Sequence, residues 1–291
     1  MVLDGVTSEH SRRSYRTGLV EFFAWAPHSG SRPAFAKALV QKYKAELVAR
    51  KLAPATINLR LASIRKLARE MSDNQMLDPA TAAAIAAIPC VKKRGIRMGK
   101  WLGRDEASRL VNSPSRDTLS GKRDRAILAI LVSCGLRRAE LLRMDVRDLE
   151  QREGRWVLPD MMGKGNRIRT VTVPEGVKAR IDIWLNAADI TVGRIFRAVS
   201  KMDRVAGHGL ADEKAVWRLV MGHAEAAGLG KLAPHDLRRT FAKLCRKAGG
   251  DLEQIQLILG HASIQTTERY LGTEQTLAHA VNDVLGLILD G

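Results

Sequence analysis

Apolar residues recur every three or four positions along most of the chain, and the period changes once, between residues 155 and 174. Such a pattern commits the chain to helices that pack by their apolar stripes, with room for a small sheet only. In SRRSYRTGLVEFFAWA, Tyr15, Leu19, Phe22 and Phe23 follow a mostly helical spacing, with Ser11 or Ser14 in position to cap the helix. Phe35, Leu39, Tyr43 and Leu47 are spaced by four, and Ile57, Leu61, Ile64, Leu67 and Met71 by fours and threes. A short helix, PATAAAIAAI, ends at Pro89. Residues 1–90 therefore predict a compact helical unit. At the change of period, Trp156–Leu158 and Ile168–Val173 are short β-prone runs around the glycine-bearing turn MMGKGNR, the signature of a hairpin. After Pro174 the helical spacing returns almost to the end. The expected fold is mainly α with a small antiparallel β insert, in two domains.

Between the periodic regions, CVKKRGIRMGKW sets Lys92, Lys93, Arg94, Arg97 and Lys100 among two glycines with no helical pattern. It reads as a basic linker over 91–100, with the second domain running over 101–291. The chain holds 48 Lys+Arg against 31 Asp+Glu, a net charge of +17, and the excess is uneven. Residues 1–100 carry 18 basic and 7 acidic residues, a surplus of +11 in about a third of the length. Like charges repel unless a polyanion is near, which makes nucleic acid the leading partner and Arg60, Lys66 and Arg69 on one helix face, beside Arg65, candidate contacts. The 45% hydrophobic content excludes a wholly disordered chain, and no run approaches the ~18 apolar residues of a membrane span. The start, MVLDGVTSEHSRRSY, has no apolar h-region, and Cys90, Cys134 and Cys245 are too far apart for a metal knuckle. A soluble intracellular protein is expected.

Four segments of the second domain carry the chemistry. In Cys134-Gly135-Leu136-Arg137-Arg138-Ala139-Glu140-Leu141 an apolar helix stops at Gly135 and another starts near Arg138, so Arg137 lies at a junction where a guanidinium can grip a phosphate with two bonds. Lys164 sits between Gly163 and Gly165 at the hairpin tip. In Pro234-His235-Asp236-Leu237-Arg238-Arg239-Thr240-Phe241, His235 and Arg238 share one helix face while Leu237 and Phe241 face the core. In Leu259-Gly260-His261 through Tyr270, a helix ends at Gly260 and Ser263 is placed to cap the next. Of only three tyrosines, Tyr15 and Tyr43 lie in apolar stripes, whereas Tyr270 follows Glu268 and Arg269. A phenol becomes a covalent nucleophile when cations stabilise its oxyanion.

The order GLRxxEL, GKGxxxR, HxLRxT and LGHxSIxTTxxY across residues 134–270 resembles the tyrosine site-specific recombinases, the phage integrase family. The first third is similar, more loosely, to that family's helical core-binding domain. The resemblance implies that Arg137 and Arg238 clamp the scissile phosphate and that Lys164 protonates the leaving 5′-oxygen. It implies that His235 assists proton transfer with the nucleophile, that His261 hydrogen-bonds the phosphate, and that Tyr270 attacks to give a 3′-phosphotyrosine. Glu140 matches a supporting acidic position. The chain departs from the common pattern at Arg239, often histidine, and at Ala139, often serine. Neither position is assigned chemistry.

The resemblance further implies double-stranded DNA as the partner and a homotetramer on paired DNA sites, in the bacterial cytoplasm or encoded by a phage or mobile element. After Tyr270 the segment LGTEQTLAHAVNDVLGLILDG sets Leu277, Val281, Val284, Leu285 and Ile288 on a helical stripe. Periodicity alone suits a helix packed on its own domain, while the resemblance implies one that bridges to a neighbouring subunit. No cofactor and no metal are expected. A phosphotyrosine conserves the energy of the phosphodiester, and neither a Walker A motif nor a recognisable metal-binding carboxylate cluster is present. Two other readings stay open: a type IB topoisomerase-like enzyme, and a DNA-binding regulator that has lost cleavage.

Overall fold

The computed structural model describes residues 2–6, 9–26, 35–92, 100–162, 168–210, 212–261 and 263–271. Lys93, Arg94, Arg97, Lys164 and the expected C-terminal helix lie outside the described residues. The chain divides into two compact units, Met1–Arg97 and Met98–Gly291.

The first unit holds α1 (Glu9–Trp25), α2 (Lys37–Ala49), α3 (Pro54–Asp73) and α4 (Pro79–Ala86). Helix α1 begins two residues before Ser11, so neither serine named above caps it. Asp78 caps α4 by accepting from the Thr81 N–H at 2.9 Å. The striped residues Tyr43, Leu47, Ile57, Leu61 and Ile64 are fully buried around an aromatic knot. In it the Phe22 and Tyr43 rings meet edge-on at 5.1 Å.

Three of the four basic residues expected on α3 have partners within the unit. Arg60 grips Glu21 of α1 with bonds of 2.7 and 3.0 Å and is 13% exposed. Arg65 donates to the Ile88 carbonyl after α4 and to Cys90 Sγ at 3.5 Å. Lys66 pairs with Glu70 at 2.6 Å, while Arg69, Lys92 and Lys100 are exposed. An arginine long enough to reach a neighbouring helix carboxylate or carbonyl stiffens the bundle, and its helical position alone does not distinguish that role from a phosphate contact.

The second unit holds α5 (Arg104–Asn112), α6 (Leu119–Ser133), α7 (Arg138–Arg143), β1 (Glu150–Arg152), β2 (Arg155–Met162) and β3 (Ile168–Val173). They are followed by α8 (Glu175–Ala187), β4 (Arg197–Val199), β5 (Val205–Gly209), α9 (Glu213–Ala226), α10 (Pro234–Lys247), α11 (Leu252–Leu259) and α12 (Ile264–Leu271). Helix α6 is the central rod, with Ala126 through Leu131 at most 5% exposed. Asp124 fixes its side against α9 by accepting from Arg123 at 2.9 Å and meeting His223 Nε2 at 3.0 Å. Strands β1-β2-β3 form an antiparallel sheet, with an irregularity between Leu158 and Met161 where Asp160 takes a positive φ. The expectation of helices alone after Pro174 misses β4 and β5, a second two-stranded sheet. These strands are three and five residues long, too short to imprint an alternation on the sequence. Among the described residues no helix is long and apolar enough to cross a membrane.

Candidate active site

Three helical junctions and strand β3 converge at the C-terminal end of α11. The first is the break between α6 and α7. Gly135 has φ +60, which leaves its carbonyl turned toward Arg238. A Cβ there would stand 2.7 Å from the Phe241 ring, so only glycine fits the turn. Arg137 stands at the N-cap position of α7, and Glu140 of the first turn accepts its N–H at 2.7 Å and its guanidinium at 2.7 Å.

Glu140 is 4% exposed and is clasped from its other side by Arg169 of β3, with bonds of 3.0 and 2.8 Å. Burial pushes the Glu140 carboxyl up, but bonds from Arg169 and from the Arg137 N–H outweigh burial and hold it down at about 2. It is a carboxylate at every working pH, flanked by two guanidinium groups.

The second convergence is on the last carbonyls of α11. Arg169 Nε donates to Ile258 O at 2.6 Å, Arg137 reaches Leu259 O and Gly260 O at 3.4 Å each, and Arg238 donates to Leu259 O and to Gly135 O. Three arginines from α7, β3 and α10 thus fasten onto one helix end, where unpaired carbonyls carry the negative pole of the helix dipole. Gly260, at φ +60, ends the helix and turns the chain into His261.

His261 is buried, with Nδ1 at 3.0 Å from Thr267 Oγ1 of α12. Burial first, and then the Arg238 and Arg137 charges, hold its ring down at about 4. His235, at the start of α10 and open to solvent, is also held below its ordinary value, by partial desolvation first and then by Arg239 and Arg238. Both imidazoles are neutral at neutral pH. Arg239, the departure noted above, leans on Asp236 at 3.4 Å.

The structure therefore brings Arg137, Glu140, Arg238 and His261 into one connected network, with His235 within electrostatic reach of it. Tyr270 lies on α12 one turn beyond Thr267, the residue bonded to His261. Tyr43 is fully buried in the first unit, which removes it as a nucleophile. Arg169 has no assigned role in the sequence reading, although it closes the GKGxxxR motif. Its signal is the β3 alternation, which points Arg169 inward with Val171 and Val173. An arginine at an inward strand position calls for a buried acid, and Glu140 is that acid.

Comparisons with known proteins match both units of the chain to one family. The model of the phage integrase family matches residues 100–276, and that of the phage integrase N-terminal SAM-like domain matches residues 2–74. The tyrosine recombinase XerC of Thermodesulfovibrio yellowstonii is 30% identical over 281 residues, covering 94% of this chain and 88% of the relative. The tyrosine recombinase XerD of Pseudomonas putida is 29% identical, covering 90% and 86%. Among solved structures, the XerH site-specific recombinase bound to its difH substrate shares the fold at TM-score 0.68 and 20% identity, covering 91% of this chain and 76% of that one.

Proposed function

The chain belongs to the phage integrase family of tyrosine recombinases, and from that membership we propose that it recombines duplex DNA at specific sites, cutting and rejoining strands through a 3′-phosphotyrosine. The observation that carries this reading is the network at the end of α11: two arginines and a histidine of the motif set, drawn together from three helical junctions and one turn of α12 away from Tyr270.

Transfer of a phosphodiester builds negative charge on the non-bridging oxygens, and Arg137 and Arg238 supply fixed positive charge for it. His235, neutral at neutral pH, takes the phenolic proton as the Tyr270 oxygen bonds to phosphorus. The bond from phosphorus to the 5′-oxygen breaks, and Lys164 at the hairpin tip protonates that oxygen. His261, whose Nδ1 lies against the Thr267 hydroxyl, presents Nε2–H to the phosphate. Rejoining runs the same steps backward, so the phosphodiester energy is never lost.

Arg169 is a positioning residue in this scheme. Its bonds to Glu140 and Ile258 tie the strand that follows Lys164 to both Arg137 and the α11 terminus. Residues 1–90 act as a core-binding domain joined by the 91–100 linker to a catalytic domain over 101–291, a division supported by the two compact units and by the two family matches. In the first domain Arg69, with Lys92, Lys93, Arg94, Arg97 and Lys100 of the linker, is assigned to phosphate contact. Free protein is monomeric, and tetramers assemble on paired sites in the bacterial cytoplasm.

A nicked suicide duplex tests the reading. The protein forms a denaturant-resistant adduct with it, and Tyr270→Phe abolishes the adduct while leaving binding intact. An adduct formed by the phenylalanine variant rules out Tyr270 as the nucleophile. The absence of any adduct with the unaltered chain overturns the enzymatic reading.

A further inference from the structure

At the far end of α6 from Arg137, the second unit holds a cavity of about 220 Å³ lined by Arg116, Lys122, Arg125, Arg180 and Ile183. Helix α6 is 15 residues long, about 22 Å at 1.5 Å per residue. Lys122 and Arg125 stand on its opening turns, whereas its C-terminal end leads to Gly135 and Arg137. The cavity is thus separate from the catalytic network.

All four charges in its lining have one sign. A second cavity, about 280 Å³ between α7 and β2, instead mixes Arg143 and Arg147 with Asp148, Glu150 and Asp160. The arginines of the basic cavity are also built in. Arg125 donates to Asn112 O at 2.9 Å and Pro114 O at 3.0 Å, and Arg180 donates to Val111 O at 2.6 Å. Both guanidinium groups then share a single acceptor, Asn112 Oδ1, at 2.8 Å each.

Carbonyls fix these groups in place without neutralising them. Burial first, and then neighbouring arginines, pull both Arg125 and Arg180 below the usual arginine range. The nearby carboxylate of Asp203 is turned to the α6 N-terminus, where it accepts from Leu119 N at 2.7 Å and Ser120 N at 3.0 Å. Holding like charges together costs free energy, and an oxyanion seated among them recovers it.

We propose that this cavity is a second phosphate-binding site, which takes a backbone phosphate of duplex DNA outside the cleavage site. The inference rests on the DNA-recombining reading above. That reading puts a phosphate polymer beside the protein whenever it works, and paired guanidinium groups match a phosphate's geometry.

The test uses the full chain, a short duplex that ends near the cleavage site, and a long one that runs well beyond it. Two variants are compared: R125Q/R180Q, and R116E/K122E, which alters less buried residues and leaves the Asn112 bonds in place. On the long duplex both weaken binding about tenfold at moderate salt and lower the log–log salt slope by about 1–2. Adduct yield on the short duplex stays unchanged. An unaltered slope in R116E/K122E, with normal thermal unfolding, overturns the proposal.

Two further arms identify another occupant. If calorimetry shows inorganic phosphate binding that the variants lose while the long-duplex slope stays constant, the site serves free phosphate and the proposal fails. Loss of poly-glutamate binding with a constant slope assigns it to an acidic protein segment, and the proposal again fails. Because adduct formation is read on the short duplex, failure of the recombinase reading is seen separately from failure of this one.

Discussion

At the scale of single residues, the site is an arginine network built on one carboxylate. Glu140 cannot be protonated at working pH, so its two arginines are locked in direction as well as in charge. If Arg169 acts by holding Glu140, Arg169→Gln lowers cleavage about a hundredfold while leaving DNA affinity near normal, because a displacement of about 1 Å at the clamp is enough. Arg169→Lys, which keeps the charge but loses the two-bond fork, recovers only part of the rate. Single-turnover cleavage alongside equilibrium binding checks this, and equal losses in both would make Arg169 a purely structural strut.

Two of the depressed groups, His261 and Glu140, also set an acid limb of stability. His261 titrates near 4 in the folded chain and near 6.5 unfolded, so the unfolded state binds the extra proton first. Its contribution is complete above pH 6.5 and is lost as pH falls toward 4. Glu140, also depressed, loses its contribution between about 4.5 and 2. Urea unfolding across this range therefore shows stability falling in two steps on acidification, and His261→Gln shrinks the upper one, leaving the part that His235 contributes. A variant with an undiminished upper step would assign it to another group.

At the scale of elements, the turns between helices decide where the arginines point. Gly135 and Gly249 both end a helix in the left-handed region, at φ +60 and +86. Their surroundings differ: a Cβ at Gly135 strikes the Phe241 ring, whereas one at Gly249 meets nothing within 4 Å. Gly249→Ala should cost about 1–2 kcal/mol, the strain of the backbone alone. Gly135→Ala adds overpacking of about 1–3 kcal/mol and moves the carbonyl that Arg238 uses, so it should cost more and cut cleavage as well. Thermal unfolding of the two variants side by side decides, and equal losses would show that the Phe241 contact relaxes freely.

At the scale of the whole molecule, the proposed function assigns the charge surplus of residues 1–100 to DNA and the apolar stripe of the last 20 residues to a neighbouring subunit. Truncation after Thr273 keeps Tyr270 and the rest of α12 and removes the Leu277–Ile288 stripe. The truncated protein should bind a single site normally and fail to pair two sites, as read by mobility shift and by cross-linking of DNA-bound subunits. Unfolding or loss of single-site binding on truncation would place the helix on its own domain instead.

The division of labour between sequence and tertiary structure follows from the range of the forces involved. Helix type, the β2–β3 hairpin, the core stripes and the left-handed end at Gly260 are set by neighbours within about four residues, so the apolar period and the glycines carry them. The order of the four motifs is equally a property of the chain. Which arginines do chemistry and which hold the fold is not local. Arg60 and Arg69 share the basic helix α3, yet one is claimed by Glu21, 39 residues away, and the other is exposed. Arg137 and Arg169 meet on Glu140, and both reach an α11 terminus some 90 to 120 residues further on. An arginine takes whichever oxygen the packing brings within about 3 Å, and that partner is chosen only when α6, α10, α11 and β3 close around a common core.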